Sequence, residues 1–506
     1  MEVGGETATI RGMVQRLRFA LCALFCGLGT VFAQDEPAGD VGAVIGVDPK
    51  SLTASELYEQ GRQAYSRQEF PLAEALLLEL IASYGQNAEL KEAIDKVKPL
   101  VALAQLRQKK FEEALPSIES AIEAGGMPPE VVAELEFWRG LCLMQIGSYV
   151  PAQHAFGEFY QKYHGKEGRT RKELMRAHEA LLLFAAAYVA KDEKEYGELI
   201  AMLNHVLPKL RLESKEAAAR ATVLLMHSLV ESEQFDEAFE LVKVQFQDLE
   251  AVTQLIALQS MALQVGSNYL EQGEYYKAIA CLQRIWLRDR LLRHQRDRLA
   301  DLEEKMEILQ SRRGMQDFVF QYDGMIRRVT LEIEAFEKIE DYDAALRLRL
   351  ANAFVGLQRY WEAALVLEDM LVNMPRGPIV EQASLSWIQC WMQCARWDKA
   401  VAAADIYLEK FDNSDQDERV PTVLMLKADS YREMPERAKA REVYAEVVER
   451  FPTGTLAPRA LFMQGILYLE DDENDKAIAA FDEVRERFGS NGIAEDAHYW
   501  KGMASS

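Results

Sequence analysis

Cysteine is scarce in this sequence, with six residues among 506. A secreted protein held together by disulfides uses more cysteines in a much shorter chain, so a disulfide framework is excluded. Cys390 and Cys394 stand one helical turn apart, which permits a disulfide or a metal pair, but no histidine or further cysteine stands nearby. Small buried core residues are the better interpretation of this pair, and also of Cys142 and Cys281 on apolar helix faces.

Catalytic and metal-binding motifs are also missing. No glycine-rich phosphate loop follows a strand, and no HExxH helix occurs. Seven histidines are scattered along the chain, and His154 and His164 have no nearby acidic pair at ligand spacing. Isolated histidines on helices are usually surface residues or satisfied core residues. We therefore expect no metal ion, no cofactor and no enzymatic activity.

Basic residues are outnumbered by acidic ones, and the formal net charge is −23. Residues 1–33 hold three arginines and two glutamates, so the rest of the chain is near −24. General nucleic-acid binding needs a basic surface and is not expected. The apolar share of 49 % indicates a folded chain rather than a disordered acidic one. The charge suits a scaffold whose partners are basic or whose groove is locally patterned.

What the chain does have is a repeated pattern of helix pairs. A small residue is followed twelve positions later by alanine, with an aromatic residue three positions before that alanine. The clearest copies are Gly61…Phe70…Ala73, Ala102…Phe111…Ala114, Gly140…Tyr149…Ala152, Gly266…Tyr275…Ala278 and Ala351…Tyr360…Ala363. Weaker copies are Ala428…Ala440 and Gly465…Ala477, which lack the aromatic, and Phe235/Ala238 and Trp397/Ala400, which have Met226 and Ile388 at the first site.

Each copy predicts two amphipathic helices joined by a short turn. In the first copy, Gln68 and Glu69 form the turn and Phe70 opens the second helix. Gly61 and Ala73 are expected where the two helices approach closely. A single pair cannot bury both of its faces, so neighbouring pairs must stack.

These residues resemble the tetratricopeptide repeat (TPR), in which small, aromatic and large residues recur at fixed positions. Residues at the large site are Leu77, Ile118, Phe156, Leu282, Leu367, Tyr444 and Phe481, and Pro375 and Pro452 stand at its proline site. The resemblance covers 53–165, 215–286 and 341–502, with successive alanines 37–41 residues apart in place of the usual ~34. It implies an all-α fold, an α-solenoid of about nine to eleven stacked helix pairs.

The sequence of one junction between repeats resembles a particular group of TPR proteins. Arg450-Phe451-Pro452, followed by Ala457-Pro458, resembles the junctions of exported bacterial TPR proteins. Such junctions recur in the Tol–Pal assembly component and in the TPR lipoprotein that helps insert outer-membrane proteins.

The N-terminus predicts export. Arg11, Arg16 and Arg18 precede an apolar stretch at 19–32, and a small-residue cleavage site ends at Ala33. Residues 1–33 therefore predict a cleavable signal peptide and a periplasmic or envelope location. An uncleaved anchor is the alternative, although the stretch is short of the ~20 residues that span a bilayer. Cys22 and Cys26 lie in the apolar stretch after large residues, which disfavours lipid attachment, and 34–52 predicts a flexible linker.

The middle of the chain is less regular. Residues 166–214 predict a degenerate repeat, with Tyr196 and Leu199 at the aromatic and alanine sites. From Ala278 to about Gln310 we expect one long helix, leading into a long-helix insertion over 287–340. Arg288, Arg293 and Arg296 belong to its basic stretch, which is either a docking surface for an anionic partner or, as helical charge runs usually are, a solvated face.

The function that follows from the resemblance is protein binding along a concave groove. The groove positions it implies are Asn352, Gln389, Asp429 and Ile466, with Arg432 nearby. Leu348 stands where the lysine of the chaperone-binding clamp would be, so recognition of a C-terminal carboxylate is not expected.

Partners would be proteins or peptide segments of an outer-membrane assembly complex, the Tol–Pal system or a secretion machine, with no nucleic acid. Peripheral association with the envelope and homo-oligomers stay open. The alternative is an accessory or truncated part of an enzyme, because the C-terminal repeats at 341–506 end on an incomplete copy in which Gly502 holds the small site.

Overall fold

The computed structural model describes residues 49–191, 195–245, 249, 252, 254–312, 316–411, 419–489 and 491–505. The predicted signal peptide and most of the predicted linker lie outside these residues. Within them, every regular element is helical, which confirms the all-α fold class. The α-helices are α1 (Ala54–Ser66), α2 (Phe70–Tyr84), α3 (Lys91–Asp95), α4 (Lys98–Arg107), α5 (Phe111–Ala124), α6 (Pro129–Gln145), α7 (Tyr149–His164), α8 (Arg171–Ala190), α9 (Gly197–Glu213), α10 (Lys215–Glu231), α11 (Phe235–Gln245), α12 (Leu255–Glu271), α13 (Tyr275–Leu282), α14 (Arg288–Gln310), α15 (Gln316–Glu337), α16 (Tyr342–Gly356), α17 (Tyr360–Asn373), α18 (Pro378–Gln393), α19 (Trp397–Phe411), α20 (Val420–Glu433), α21 (Arg437–Arg450), α22 (Ala457–Glu470), α23 (Asn474–Phe488) and α24 (Ile493–Ala504).

The chain divides into two compact units. Unit 1 comprises residues 1–261 and 289–338, and unit 2 comprises 262–288 and 339–506. None of the described helices combines the length and the apolar character needed to cross a membrane.

The turns within helix pairs share one backbone conformation. In eight pairs the residue two places before the second helix has φ between +51° and +77°. The next N–H donates to the carbonyl five residues back at 2.8–3.0 Å, which is the hydrogen bond that closes a Schellman-type helix end. The left-handed residues are Gln68, Lys109, Gly147, Glu233, Gly273, Gln358, Ala395 and Asp472.

The turn between α20 and α21 departs from this pattern. Pro435 stands two places before α21, where the left-handed residue would be, and the proline ring fixes φ at a negative value.

The small sites are sterically required, as the sequence predicts, and the structure identifies the obstacle. A Cβ atom on Gly465 would lie 2.6 Å from Cε1 of Phe481, and one on Gly61 would lie 2.6 Å from Cδ2 of Leu77. The opposing side chain is the large residue sixteen positions downstream. We call each such combination a sixteen-residue pair, and two further examples are Gly140/Phe156 and Gly266/Leu282.

One sixteen-residue pair has its sizes exchanged. Ile388 holds the small site of α18, and sixteen residues later the large site holds Ala404. Both side chains are fully buried. Close packing fixes the volume available to the two residues together, so either order of small and large can fill it.

The prediction of one helix from Ala278 to Gln310 is wrong. Helix α13 ends at Leu282, Ile285 is buried in the connection, and α14 starts at Arg288. The Arg288 backbone N–H donates to the Asp343 carboxylate at 2.7 Å, which satisfies a donor at the new helix start. This partner lies 55 residues away, so the helical pattern of the sequence does not reveal the break. The segment predicted as a long-helix insertion contains two helices, α14 and α15.

The four cysteines among the described residues are free thiols. Cys142, Cys281 and Cys390 are buried, as expected for core residues, and Cys394 is half-buried. Burial raises the pKa of the Cys142, Cys281 and Cys390 thiols to about 12, so these groups stay protonated.

Unit 1 contains a carboxyl group that is almost completely buried. Glu332 on α15 is 2 % exposed and accepts hydrogen bonds from the Ala257 N–H, at 2.8 Å, and from the Gln295 side chain. Ala257 lies in the first turn of α12, so Glu332 caps that helix from 75 residues away. Burial raises the pKa of Glu332 to about 8, although these hydrogen bonds oppose the shift.

A mostly buried ion pair joins α8 and α10 in unit 1. Arg220 donates two hydrogen bonds to Glu179, at 2.6 and 3.1 Å, in a forked arrangement. Burial opposes the ionisation of Glu179, but Arg220 outweighs it and lowers the pKa of that carboxyl. Arg328 lies close enough that burial, together with the charge of Arg220, lowers its pKa to about 10.

Candidate functional site

Four successive first helices in unit 2 each carry three residues at corresponding positions on one face. Helix α16 contacts α18, and α18 contacts α20, so these three first helices of successive pairs are neighbours. On each helix, residues at i, i+4 and i+7 share one face. We call these sets the first-helix stripe: Leu348, Asn352 and Val355; Leu385, Gln389 and Met392; Met425, Asp429 and Arg432; and Phe462, Ile466 and Leu469.

Three of the predicted groove residues are accessible in this stripe. Gln389 is exposed, and Asn352 and Ile466 are partly exposed. A side-chain amide both donates and accepts hydrogen bonds, so Asn352 and Gln389 suit the backbone of an extended peptide.

Asp429 and Arg432 are engaged within the protein. The Asp429 carboxylate accepts hydrogen bonds from the Tyr444 hydroxyl and, at 3.1 Å, from Arg459, and its side chain is only 14 % exposed. Burial, followed by the charge of Asp429, raises the pKa of Tyr444. Arg432 pairs with Glu433 at 2.9 Å. The Asp429 carboxylate is therefore already hydrogen-bonded within the protein, and a partner would have to compete with these contacts.

The remaining stripe residues are mainly apolar. Leu348 and Met425 are buried at 3 % exposure and belong to the core of unit 2. The partly buried residues Val355, Leu385, Met392, Phe462 and Leu469 pack against that core. Each of the partly buried residues keeps part of its surface outside the core, and on α16 and α18 this apolar area lies beside the amides of Asn352 and Gln389. Such a surface can hold apolar side chains of a bound segment while the amides bond its backbone.

The predicted basic residues of α14 have different surroundings. Arg293 and Arg296 are exposed, and Arg296 pairs with Glu337. Arg288 is half-buried at the start of the helix. The docking surface and the solvated face both remain predictions for this segment.

A cluster that sequence reasoning missed lies in unit 1. His164 ends α7, His178 lies in α8 and Glu213 ends α9, and one ligand atom from each lies within 4.8 Å of the others. Burial lowers the pKa of His164, which favours its neutral form. The three residues are separated by 14 and 35 positions, so no local motif signals them. His164 was singled out by the sequence only as an isolated histidine.

The stacked helix pairs, the left-handed turns and the sixteen-residue pairs define a helical-repeat protein. Residues 102–156 in unit 1 and 425–492 in unit 2 match the family described as the tetratricopeptide repeat. A segment of each unit thus matches this repeat. Proteins built from this repeat typically act as non-catalytic scaffolds that bind other proteins.

Solved structures that match the chain are distant. The APC/C hetero-tetramer Cut9–Hcn1 is 12 % identical, with 90 % of this chain and 96 % of that chain covered and a TM-score of 0.31. The TPR domain of P58(IPK) is 11 % identical, with 89 % and 98 % covered and a TM-score of 0.21. Yeast Tom70 is 12 % identical, with 89 % and 95 % covered and a TM-score of 0.28. No curated protein matches the chain.

Proposed function

We propose that this protein is a non-catalytic scaffold of the bacterial cell envelope that binds an extended segment of a partner along the first-helix stripe. The observation that carries the proposal is the stripe itself. Corresponding positions on four successive first helices carry partly exposed residues, which are polar on α16, α18 and α20 and apolar on α16, α18 and α22. A long, sequence-tolerant binding surface requires such a series of accessible positions.

The chemistry of the stripe defines the kind of segment. Its accessible groups are the amides of Asn352 and Gln389 and the apolar side chains around Ile466. The charged pair in the stripe, Asp429 and Arg432, is held by other side chains. With a chain charge of −23, an apolar segment that is neutral or basic fits better than an acidic one.

The envelope location rests on the N-terminal sequence. The basic residues before the apolar stretch at 19–32, and the cleavage site at Ala33, support export. The repeat junctions suggest outer-membrane assembly and the Tol–Pal system, and secretion is a further candidate process. All three enter by analogy with other exported proteins.

Site-directed crosslinking in cells tests the binding surface. A photocrosslinking amino acid replaces Gln389 on the stripe, and in a matched variant it replaces Val372, which is 67 % exposed on the second helix α17. We expect a discrete crosslinked product from position 389 that is absent at position 372, with the partner identified by mass spectrometry. Equal products at both positions, or none at 389, would contradict the stripe as the binding surface.

Export is tested separately. The N-terminal sequence of the protein recovered from fractionated cells is expected to begin at Gln34, in the periplasmic or envelope fraction. Recovery of an intact N-terminus in the cytoplasm would overturn the envelope location while leaving the binding surface unaffected.

A further inference from the structure

The ends of α7 and α9 and the middle of α8 bring together two imidazoles and a carboxylate in unit 1. Glu213 Oε2 lies 2.8 Å from Nε2 of His178 and 3.4 Å from Nε2 of His164. His178 is 4 % exposed, and the side chains of His164 and Glu213 are 14 % and 17 % exposed. One oxygen of Glu213 is thus shared by two histidine nitrogens in a largely buried position.

This spacing is close to that of a metal coordination sphere. Zinc binds histidine nitrogen and carboxylate oxygen at about 2.0–2.2 Å in tetrahedral geometry, which places neighbouring ligand atoms about 3.4 Å apart. The distance from His164 to Glu213 equals that separation, the distance from His178 to Glu213 is shorter, at 2.8 Å, and the two histidine nitrogens lie within 4.8 Å of each other. Two histidines and one glutamate are also a ligand set that zinc adopts with a fourth position left to water.

The groups around the cluster hold these ligands in place. Arg169 donates to the His164 backbone carbonyl at 2.6 Å and lies 3.5 Å from Oε1 of Glu213. The Tyr160 ring stacks on His164 with 4.6 Å between ring centroids. Outer contacts of this kind fix the orientation of ligating side chains in metal sites.

The nearby cations lie on the other side of the carboxylate. Arg169 and Lys209, the latter at 3.9 Å, both approach Oε1, whereas both histidines approach Oε2. Glu213 can therefore give one oxygen to a metal ion and keep the other on its arginine. These cations would weaken the site but would not occupy the position between the three ligand atoms.

We propose that His164, His178 and Glu213 form a binding site for a transition-metal ion of the zinc(II) class, with water as the fourth ligand. The ion would tie together the ends of α7 and α9 and the body of α8. It would fix three helices of the repeat array to one point, and its residues are separate from those of the partner-binding stripe in unit 2.

The test measures metal binding by the full chain, prepared without a polyhistidine tag. Zinc(II) is titrated in competition with a chromophoric chelator, and cobalt(II) is added in parallel as a spectroscopic substitute. We expect one ion per chain, visible absorption bands of tetrahedral cobalt with nitrogen and oxygen ligands, and a higher melting temperature with zinc. The proposal is overturned if the wild-type protein binds neither ion or gives only octahedral cobalt spectra. This outcome depends on the wild type alone and needs no variant.

Variants locate the ion. His164→Asn, His178→Gln and Glu213→Gln are each expected to weaken zinc binding at least tenfold, while His154→Gln leaves it unchanged. His154 is the matched control because it faces Glu158 at 3.5 Å on the exposed surface, with 76 % of its side chain accessible. His164 is the more accessible of the two ligating histidines, so His164→Asn remains informative if the His178 variant does not fold. Undiminished binding in a folded His164→Asn variant, or equal loss in His154→Gln, would contradict the site.

Discussion

The two units solve the problem of fixing neighbouring helices in different ways. The buried polar residues described in unit 2 are Arg349, Ser384 and Ser430, and both serines bond to carbonyls of their own helices. Unit 1 buries many more polar side chains, and several bond across long stretches of chain, as Glu332 does with the start of α12. Unit 2 also has polar contacts between distant residues, since Arg349 donates to the Ser267 hydroxyl at 2.9 Å and the Arg288 N–H donates to Asp343. The difference between the units is therefore the larger number of buried polar side chains in unit 1.

The difference has a physical origin in the sequence. Where the small and large sites recur regularly, packing alone fixes how one helix lies on the next. Where the pattern is blurred, as in 166–214 and 287–340, apolar contacts are less selective because the hydrophobic effect has no direction. Hydrogen bonds and ion pairs have strict geometry, so we infer that they set the register of unit 1.

The largest expected effect comes from breaking the polar contact between α8 and α10. Glu179→Gln leaves Arg220 without its partner carboxylate in a mostly buried position. We expect a loss of about 3–4 kcal/mol of local stability in unit 1, because a buried charge without its partner is strongly disfavoured. Hydrogen exchange with peptide resolution measures this loss and separates the two units.

The control for this variant is Glu59→Gln. Glu59 forms the same kind of pair with Arg62, but on the exposed surface of α1. Little change is expected there, because exposed pairs are screened by water. Similar losses in both variants would show that unit 1 does not depend on its buried pair.

A substitution in the packing of unit 2 is expected to be nearly as costly. Gly465→Ile forces a side chain against the Phe481 ring, and overpacking of this kind costs about 2–3 kcal/mol. Adding Phe481→Ala should recover part of the loss, because the double variant reproduces the arrangement of Ile388 and Ala404. The melting temperatures of the wild type, of Gly465→Ile and of the double variant measure how much stability is recovered.

Gly502→Ile is the matched control, since a Cβ at Gly502 has no neighbour within 4 Å. It should not lower the melting temperature. An equal loss at both glycines, or no recovery in the double variant, would remove the sixteen-residue pair as the device that holds unit 2.

The pH dependence of unit 1 gives a third test. The pKa of Glu332 is about 8 in the fold and near 4.5 as a reference, so the folded state holds a proton that the unfolded chain releases. The contribution of this group is complete below pH 4.5 and is lost as the pH rises towards and through 8. We expect Glu332→Gln to remove about 2 kcal/mol of the decline in stability between about pH 6 and 8.

Glu334→Gln is the control because Glu334 is exposed on the same helix. Hydrogen exchange of unit 1 at several pH values compares both variants with the wild type. Identical pH profiles for the wild type and Glu332→Gln would mean that Glu332 is ionised in the fold, contrary to its burial.

The smallest expected effect concerns the left-handed turns. Ala395 has φ of +51°, which disfavours any residue with a Cβ. Ala395→Gly is therefore expected to stabilise unit 2 by about 1 kcal/mol. Ala402→Gly, on an exposed helical position of α19, should do the opposite by a similar amount, so the two changes have opposite signs in thermal unfolding. Destabilisation by both would show that the left-handed conformation carries no strain.

The regular features of the fold are readable from the sequence because they are local. Gly61 and Leu77, or Phe70 and its turn, lie within sixteen residues of each other, and their pattern repeats often enough to be recognised. The start of α14 depends on Asp343 and the cap of α12 depends on Glu332, at separations of 55 and 75 residues. Such contacts leave no periodic pattern, and neither does the cluster around Glu213. In the first-helix stripe, the helical spacing predicts which residues share a face. The hydrogen bond from Tyr444 to Asp429 joins two different helices, so the spacing does not predict it.

The exchanged sizes at Ile388 and Ala404 bear on how such a chain changes over generations. A mutation that enlarges the small site is tolerated only on a background in which the large site has shrunk, so the effect of each substitution depends on the allele at the other. The two positions therefore change together, and two combinations are acceptable: a small residue followed by a large one, or a large residue followed by a small one. Because each repeat holds its own pair, the repeats can switch state one at a time, and the pattern can erode in sequence while the helices stay in place.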